Sequence, residues 1–303
     1  MKKTLLFLAA ISMAVAANAK ILRVSNVSGS SAPYASIEAA HDAASAGDTI
    51  MVDGSSTRYT STSTGNIDLT KKVVVIGPGY WLTQNGIIEE GGSSAVVGKF
   101  TVKAEGTVIK GMTLNNLGIS APHVVINRCY IGDLTIGKNA DNAVISQCFI
   151  PGTPVGNNSC LHQITNNIFT FTSNTLSVLS GFDQSTIAYN TFRSSKVTLN
   201  VTNCTIEHNL WIGVNDKGSN NSINNNYETN IISTQATNDF IDSDYYKLEI
   251  PEDEISKYGA FAGDSPYIMS GVPSGPIITD LVVPTTVETG SKMNVTIKVE
   301  MIK

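Results

Sequence analysis

A register of alternating apolar and polar positions recurs seven times between Thr107 and Glu228. Each copy is centred on an isoleucine, and successive isoleucines stand 17 to 23 residues apart. The seven are Ile109, Ile126, Ile145, Ile164, Ile187, Ile206 and Ile223. A register kept through this many copies is a sequence repeat, and its period predicts the architecture.

Two further columns accompany the isoleucines. Three places after each stand Met112, Cys129, Cys148, Asn167, Asn190, Asn209 and Asn226. Five places after stand Leu114, Ile131, Ile150, Phe169, Phe192, Trp211 and Glu228. About 19 residues at ~3.3 Å each suffice for one coil of short strands, not for a pair of helices. Stacked asparagines can bond the backbone and one another between coils. The pattern predicts an all-β protein, a right-handed parallel β-helix with three strands per coil.

The two ends of the chain carry different signals. Lys2 and Lys3 precede a short apolar run, and Ala17-Asn18-Ala19 has the form of a cleavage site, so residues 1–19 are predicted to be a signal peptide. We expect export after cleavage near Ala19, to the periplasm, the cell surface or the extracellular space. No later stretch is apolar enough to cross a membrane. We predict a β-helix with its N-terminal cap over 20–250, and a closing segment with two strands over 251–303.

A short helix and a β tail flank the repeat. Residues 36–45 fit a capping helix, with Ser36 as N-cap and His41 packed on its inner face. Residues 277–283 and 293–299 fit two strands. Because an isolated hairpin is only marginally stable, we expect these strands to pack on the coil or to pair with a partner.

Three segments resemble secreted right-handed parallel β-helix proteins of the pectin-lyase-like superfamily, of the type found in Bacteroidota. They are the cap that runs from Tyr34 through SIEAAHDAASAGDTIMV, the motif VVVIGPGY at 73–80, and the closing run YGAFAGDSPYIMSGVP at 258–273. The resemblance covers most of the chain after Ala19. It implies the architecture and says little about function.

Composition narrows the possible partners. Removal of Lys2 and Lys3 with the leader would leave 18 basic against 25 acidic residues, a net charge of about −7. With no basic patch interleaved with aromatics, nucleic acid is not an expected partner. The four cysteines show no zinc-type spacing, and no cofactor or metal is predicted. They are expected as small buried residues, with a disulfide between Cys129 and Cys148 as the alternative.

No catalytic residues are assigned from the sequence. The lyases and galacturonidase-like hydrolases of the resembled superfamily use acidic calcium clusters with a nearby Arg or Lys, or aspartates in N-T-D, D-D and G-H-G contexts, and no such context occurs here. Asp133, Asp141 and Asp183 fall on different coils, and no two are expected at equivalent positions. The three histidines of the coil, His123, His162 and His208, are expected to be structural or surface residues. The acidic stretch 239–254 is expected to be solvated, with calcium binding as the alternative.

One outward row offers a binding surface. Four places after each isoleucine stand Thr113, Tyr130, Phe149, Ile168, Thr191, Leu210 and Tyr227, which are mostly apolar. Tyr130, Phe149 and Tyr227 are the candidate carbohydrate-binding residues, as a stacking platform for sugar rings. The alternative is that the C-terminal strands cover the row.

We therefore expect a secreted or surface β-helix protein that is not an enzyme and that binds polysaccharide. Two other functions remain open at this point. One is a divergent polysaccharide lyase or glycoside hydrolase. The other is a structural or adhesive surface module in which the C-terminal strands pair with a partner.

Overall fold

A computed structural model describes residues 19–61, 65–82, 94–170, 177–193, 197–211, 214–229, 251, 253–284, 286 and 292–302. The predicted signal peptide, apart from Ala19, and the acidic residues 239–250 lie outside this part of the chain. The described residues form a parallel β-solenoid with a short helix before its second strand. This confirms the predicted all-β, parallel β-helix fold with an N-terminal helical cap.

Among the described residues, ten short parallel strands make the first sheet. They are β1 (Ile21–Val24), β2 (Thr49–Val52), β4 (Val74–Ile76), β6 (Val108–Lys110), β8 (Val125–Asn127), β10 (Val144–Ser146), β13 (Gln163–Thr165), β16 (Thr186–Ala188), β19 (Thr205–Glu207) and β22 (Ser222–Asn224). The seven isoleucines of the repeat pair with one another through this sheet, from Ile109 opposite Ile126 to Ile206 opposite Ile223. The column continues towards the N-terminus through Val75, Ile50 and Leu22, beyond the seven copies visible in the sequence.

The second sheet has thirteen strands in the part of the chain that the structure describes. They are β3 (Asn66–Leu69), β5 (Val96–Val102), β7 (Thr113–Ile119), β9 (Tyr130–Ile136), β11 (Phe149–Ile150), β12 (Val155–Cys160), β14 (Ile168–Thr170), β15 (Ser177–Asp183), β17 (Thr191–Arg193), β18 (Val197–Thr202), β20 (Leu210–Trp211), β21 (Val214–Asp216) and β23 (Tyr227–Glu228). In β5, β7 and β9 the second and third strands of the coil are one continuous strand. In the later coils they separate, as in β11 and β12.

At both ends of the capping helix, α1 (Ile37–Ala43), side chains form hydrogen bonds with the terminal backbone groups. The Ser36 hydroxyl accepts the Ala39 amide at 3.2 Å, as predicted for the N-cap. At the other end, the Lys71 ammonium donates to the carbonyls of His41, Asp42 and Ala44 at 2.7 to 2.9 Å. His41 is buried, and its Nε2 accepts the amides of residues 70 and 71. The helix is therefore fixed to the first coils by both a cation and an imidazole.

The last strands form a separate two-stranded antiparallel sheet, β24 (Gly275–Val282) with β25 (Thr296–Ile302). Between the solenoid and this hairpin, residues 257–273 run back along the stack of coils. We call these residues the strap. The core of the solenoid is one continuous cluster from Leu22 to Trp211, and the strap covers a second cluster outside it.

Candidate functional site

The outward row predicted to bind carbohydrate lies largely under the strap. Phe149 is only 3 % exposed, and Ile168 is fully buried. They pack with Ala260, Tyr267 and Met269 of the strap, and Tyr80 shares the same cluster. The alternative prediction was that the C-terminal strands cover this row. Instead, β24 and β25 pair with each other, and the strap covers the row.

The three candidate binding residues divide into two groups. Tyr130 and Phe149 stack at 5.4 Å between ring centroids, and Trp81 meets Phe149 edge-on at 4.6 Å. Tyr227 lies four strands beyond Phe149 along the second sheet, about 19 Å away at ~4.8 Å per strand. It packs at 5.5 Å against Tyr258 of the strap. Their role in carbohydrate binding stays a prediction.

A column of left-handed residues at the corner between the two sheets holds the strap. Two places after each repeat isoleucine the backbone has φ between 48° and 62°. The residues are Gly111, Arg128, Gln147, Asn166, Tyr189, His208 and Asn225. This conformation is uncommon for residues other than glycine, and in each coil it turns the chain from the first sheet into the second. A second column with the same backbone conformation lies three places before each isoleucine, from Gly106 to Asn220, with φ between 45° and 68°.

Side chains of the column two places after the isoleucines bind carbonyls of the strap, and later coils bind earlier residues of the strap. His208 contacts the carbonyl of Lys257 at 3.0 Å, and Asn166 donates to those of residues 260 and 262. Gln147 donates to residues 265 and 266, and Arg128 to residue 272 at 2.9 Å. The strap therefore runs antiparallel to the growth of the solenoid. Sequence reasoning missed this column, although its amide, guanidinium and imidazole groups recur at one repeat position.

Partly exposed aromatic rings flank the strap. Near the end of the solenoid, Tyr189 stacks on His208 at 4.8 Å with 8° between the planes. His208 stacks on Tyr258 at 6.1 Å, and Tyr258 contacts Tyr227. All four rings are half-buried, so their edges and faces remain in part accessible. We call Tyr189, His208, Tyr227 and Tyr258 the second aromatic cluster. The first consists of Tyr80, Trp81, Tyr130 and Phe149, of which Trp81 and Tyr130 are half-buried and the other two are buried.

The asparagine column forms a buried hydrogen-bonded ladder, as its stacking predicted. The Asn190 side-chain oxygen accepts the Asn167 amide at 2.9 Å, and the Asn209 oxygen accepts the Asn190 amide at the same distance. Cys129 and Cys148 continue the ladder with sulfur, since Cys148 accepts the amide of Cys129 at 3.5 Å. Both thiols are free and buried, as expected, and the alternative of a disulfide between them is not seen.

A second ladder explains the buried histidine of the coil. Two places before the repeat isoleucines, each of four side chains accepts the amide at the equivalent position one coil earlier. They are His162, Ser185, Cys204 and Asn221. Because His162 Nδ1 accepts the Ala143 amide, Nε2 carries the proton and donates to the Ser159 hydroxyl at 2.9 Å, which itself donates to the carbonyl of Gly156. This direction of donation gives Ser159 no general base.

The structure corrects the expectation that no two carboxylates share a register position. Asp141, Cys160 and Asp183 stack on three successive coils: Asp141 accepts the Cys160 amide at 2.8 Å, and Cys160 pairs with Asp183. The two aspartates stand two strands apart, or about 9.6 Å along the stack. Asp133 lies elsewhere, on β9 of the second sheet. Sequence reasoning missed the column because these residues stand four places before the repeat isoleucines, a position that none of the compared columns included.

This spacing is near the upper limit for the carboxyl pair of an inverting glycoside hydrolase, in which one carboxyl must stay protonated to act as the acid. Hydrogen bonds from Gln184 and Asn203 lower the pKa of Asp183, which keeps it ionised. Burial and the neighbouring Asp141 raise the pKa of the Cys160 thiol, so the thiol is a weak nucleophile. Among the described residues, no group of three His, Cys, Asp or Glu could hold a metal ion.

Comparison of the chain with protein-family models, with curated proteins and with solved structures gives no match. The parallel β-solenoid is therefore established by the structure alone, and the resemblance to the pectin-lyase-like superfamily stays a prediction. In the described part of the chain, no helix has the length and apolar character needed to cross a bilayer.

Proposed function

We propose that the protein is an exported, non-catalytic β-helix protein that binds extended polysaccharide along the ridge formed by the strap and its two aromatic clusters. The observation that carries the proposal is the set of half-buried rings along this ridge, which are Trp81 and Tyr130 of the first cluster and the four rings of the second. Aromatic faces provide apolar contact for sugar rings, and adjacent amides and carbonyls provide hydrogen bonds. Side chains of four coils hydrogen-bond the strap, so the ridge is held in place before a ligand arrives.

The length of the ridge favours a polymer over a single sugar. Tyr130 and Tyr227 occupy the same row, five strands apart, which corresponds to about 24 Å at ~4.8 Å per strand. A chain of several sugar units can contact both clusters at once, and linked contacts of modest strength then add through effective concentration. A monosaccharide can engage only one cluster.

Binding is tested with the mature protein on native gels that contain soluble polysaccharides of plant, fungal and bacterial origin. We expect at least one polysaccharide to retard the protein. Tyr227→Ala should weaken retardation about five- to tenfold, because about 1–1.5 kcal/mol of ring contact is lost. Tyr34→Ala, a tyrosine near the cap, serves as the matched control and should bind as the unmodified protein does.

The same preparation tests the enzymatic alternative. Each polysaccharide is assayed for reducing ends and for unsaturated products, with and without calcium. The proposal expects no turnover. Turnover that is abolished by Asp183→Asn or Asp141→Asn would refute the non-catalytic assignment, and an entire panel without retardation would refute the binding assignment.

A further inference from the structure

Strand β25 of the C-terminal hairpin, with the residues just before it, exposes an apolar face. Along β25 and the residues before it, every second side chain is apolar, and these side chains are 42 to 69 % exposed. They are Met293, Val295, Ile297, Val299 and Met301. The intervening positions are polar, and on that side Lys298 pairs with Glu300 at 2.9 Å. Strict alternation of this kind is the pattern of a strand whose apolar face is buried against another layer.

Nothing in the described part of the solenoid supplies that layer. β24 and β25 form a sheet of their own, and the high exposure of Ile297 and Val299 shows that the solenoid does not cover them. Two strands by themselves are marginal in water, so this hairpin gains from a covering partner more than a strand within the solenoid would.

From this we infer that the apolar face of the hairpin is an interface with a second copy of this chain. A stripe of aliphatic side chains is self-complementary, which a two-fold interface requires. Five side chains exposed to this degree present on the order of 400–500 Å² of apolar surface, within the range of the largest patch on a typical monomer. Burying that surface on both copies gives roughly 1,000 Å² with its rim, which is the lower limit for a specific interface.

This area predicts a reversible dimer, not a permanent one. The hairpin follows the strap directly, so two solenoids joined in this way would present two ridges on one particle. The inference does not depend on polysaccharide binding, although a dimer would strengthen attachment to a polymer through two linked contacts.

Sedimentation equilibrium of the full mature chain over a range of concentrations tests the interface. We expect the weight-average mass to rise from one chain to two. Ile297→Lys places a charge on the apolar face and should raise the dimer dissociation constant about tenfold or more. Thr296→Lys introduces the same charge on the opposite face of the same strand, and should leave the dissociation constant within about twofold.

Far-UV circular dichroism checks that both variants keep the solenoid. A protein that stays monomeric up to about 0.5 mM, at which a weak interface of this size should be populated, would overturn the inference. So would a dimer that Ile297→Lys leaves intact, since the contact would then lie on another surface. Both outcomes are independent of whether any polysaccharide is bound.

Discussion

Removal of one buried asparagine from the ladder should destabilise the whole solenoid. Asn190 is fully buried, and its side chain takes part in five hydrogen bonds within the ladder. Asn190→Ala removes all of them. The Asn167 amide, which has the Asn190 oxygen as its acceptor at 2.9 Å, is then left buried without that acceptor. The side-chain nitrogen of Asn167 keeps its bond to the carbonyl of Ile145, so only part of the ladder is lost.

The magnitude follows from these contacts. A buried donor left without an acceptor costs about 1–3 kcal/mol, and each other lost bond costs about 0.5–1.5 kcal/mol, less where two donors share one oxygen. The low ends of these ranges sum to about 3 kcal/mol, so we expect a loss of at least about 3 kcal/mol in the free energy of unfolding. Typical domains have about 5–15 kcal/mol in total, so this single substitution removes a large part of it.

Urea denaturation followed by circular dichroism measures the loss, with the exposed Asn224→Ala as control. Among its described contacts the Asn224 side chain donates only to the Ser222 hydroxyl, and alanine keeps the backbone carbonyl that accepts the Asn226 side chain, so we expect a change below about 0.5 kcal/mol. Hydrogen exchange provides a local measurement, because the Asn167 amide should lose its protection in the Asn190 variant. A loss below about 1 kcal/mol, or an Asn167 amide that stays protected, would refute the reasoning.

Two further predictions concern the histidine ladder and the helix cap. Burial lowers the pKa of His162 from 6.5 to about 4. Between these values the unfolded chain binds a proton that the folded chain does not, so stability should fall by up to about 3 kcal/mol as the pH drops from 6.5 to 4. His162→Asn keeps an acceptor, as Asn221 does in the same ladder, and should flatten this pH dependence in urea titrations; an equally steep profile would contradict it. Lys71→Met removes the cation from the end of α1 and should speed hydrogen exchange of the helix amides about five- to thirtyfold, for a loss of about 1–2 kcal/mol. Lys72→Met, at an exposed neighbour, should leave exchange unchanged, and equal effects in the two variants would argue against the cap.

The candidate site was only in part predictable. The outward row with Tyr130 and Phe149 follows from strand alternation, since alternate side chains point to opposite faces of a sheet. Its burial under the strap does not follow, because the contacts join residues 187 positions apart, as between the hydroxyls of Tyr80 and Tyr267 at 2.6 Å. No local pattern encodes such a distance.

The chemistry of the polar groups was also decided by tertiary contacts. Four side chains at one repeat position accept amides across coils, but they are a histidine, a serine, a cysteine and an asparagine, so residue type alone does not reveal the column. Asp141 and Asp183 approach each other only because the bends between strands keep the same register as the strands do.

The sequence by itself determined the repeating part of this protein: the isoleucine column, the asparagine ladder, the capping helix and hence the parallel solenoid. These features depend on contacts between neighbouring coils, and such contacts join residues at a nearly constant separation in the sequence. The tertiary structure alone decided which surfaces stay open. The course of the strap and the exposure of the hairpin depend on non-repeating contacts, such as that of Arg128 with Val272, which no periodicity relates. Such contacts leave the aromatic ridge and the apolar face of β25 accessible.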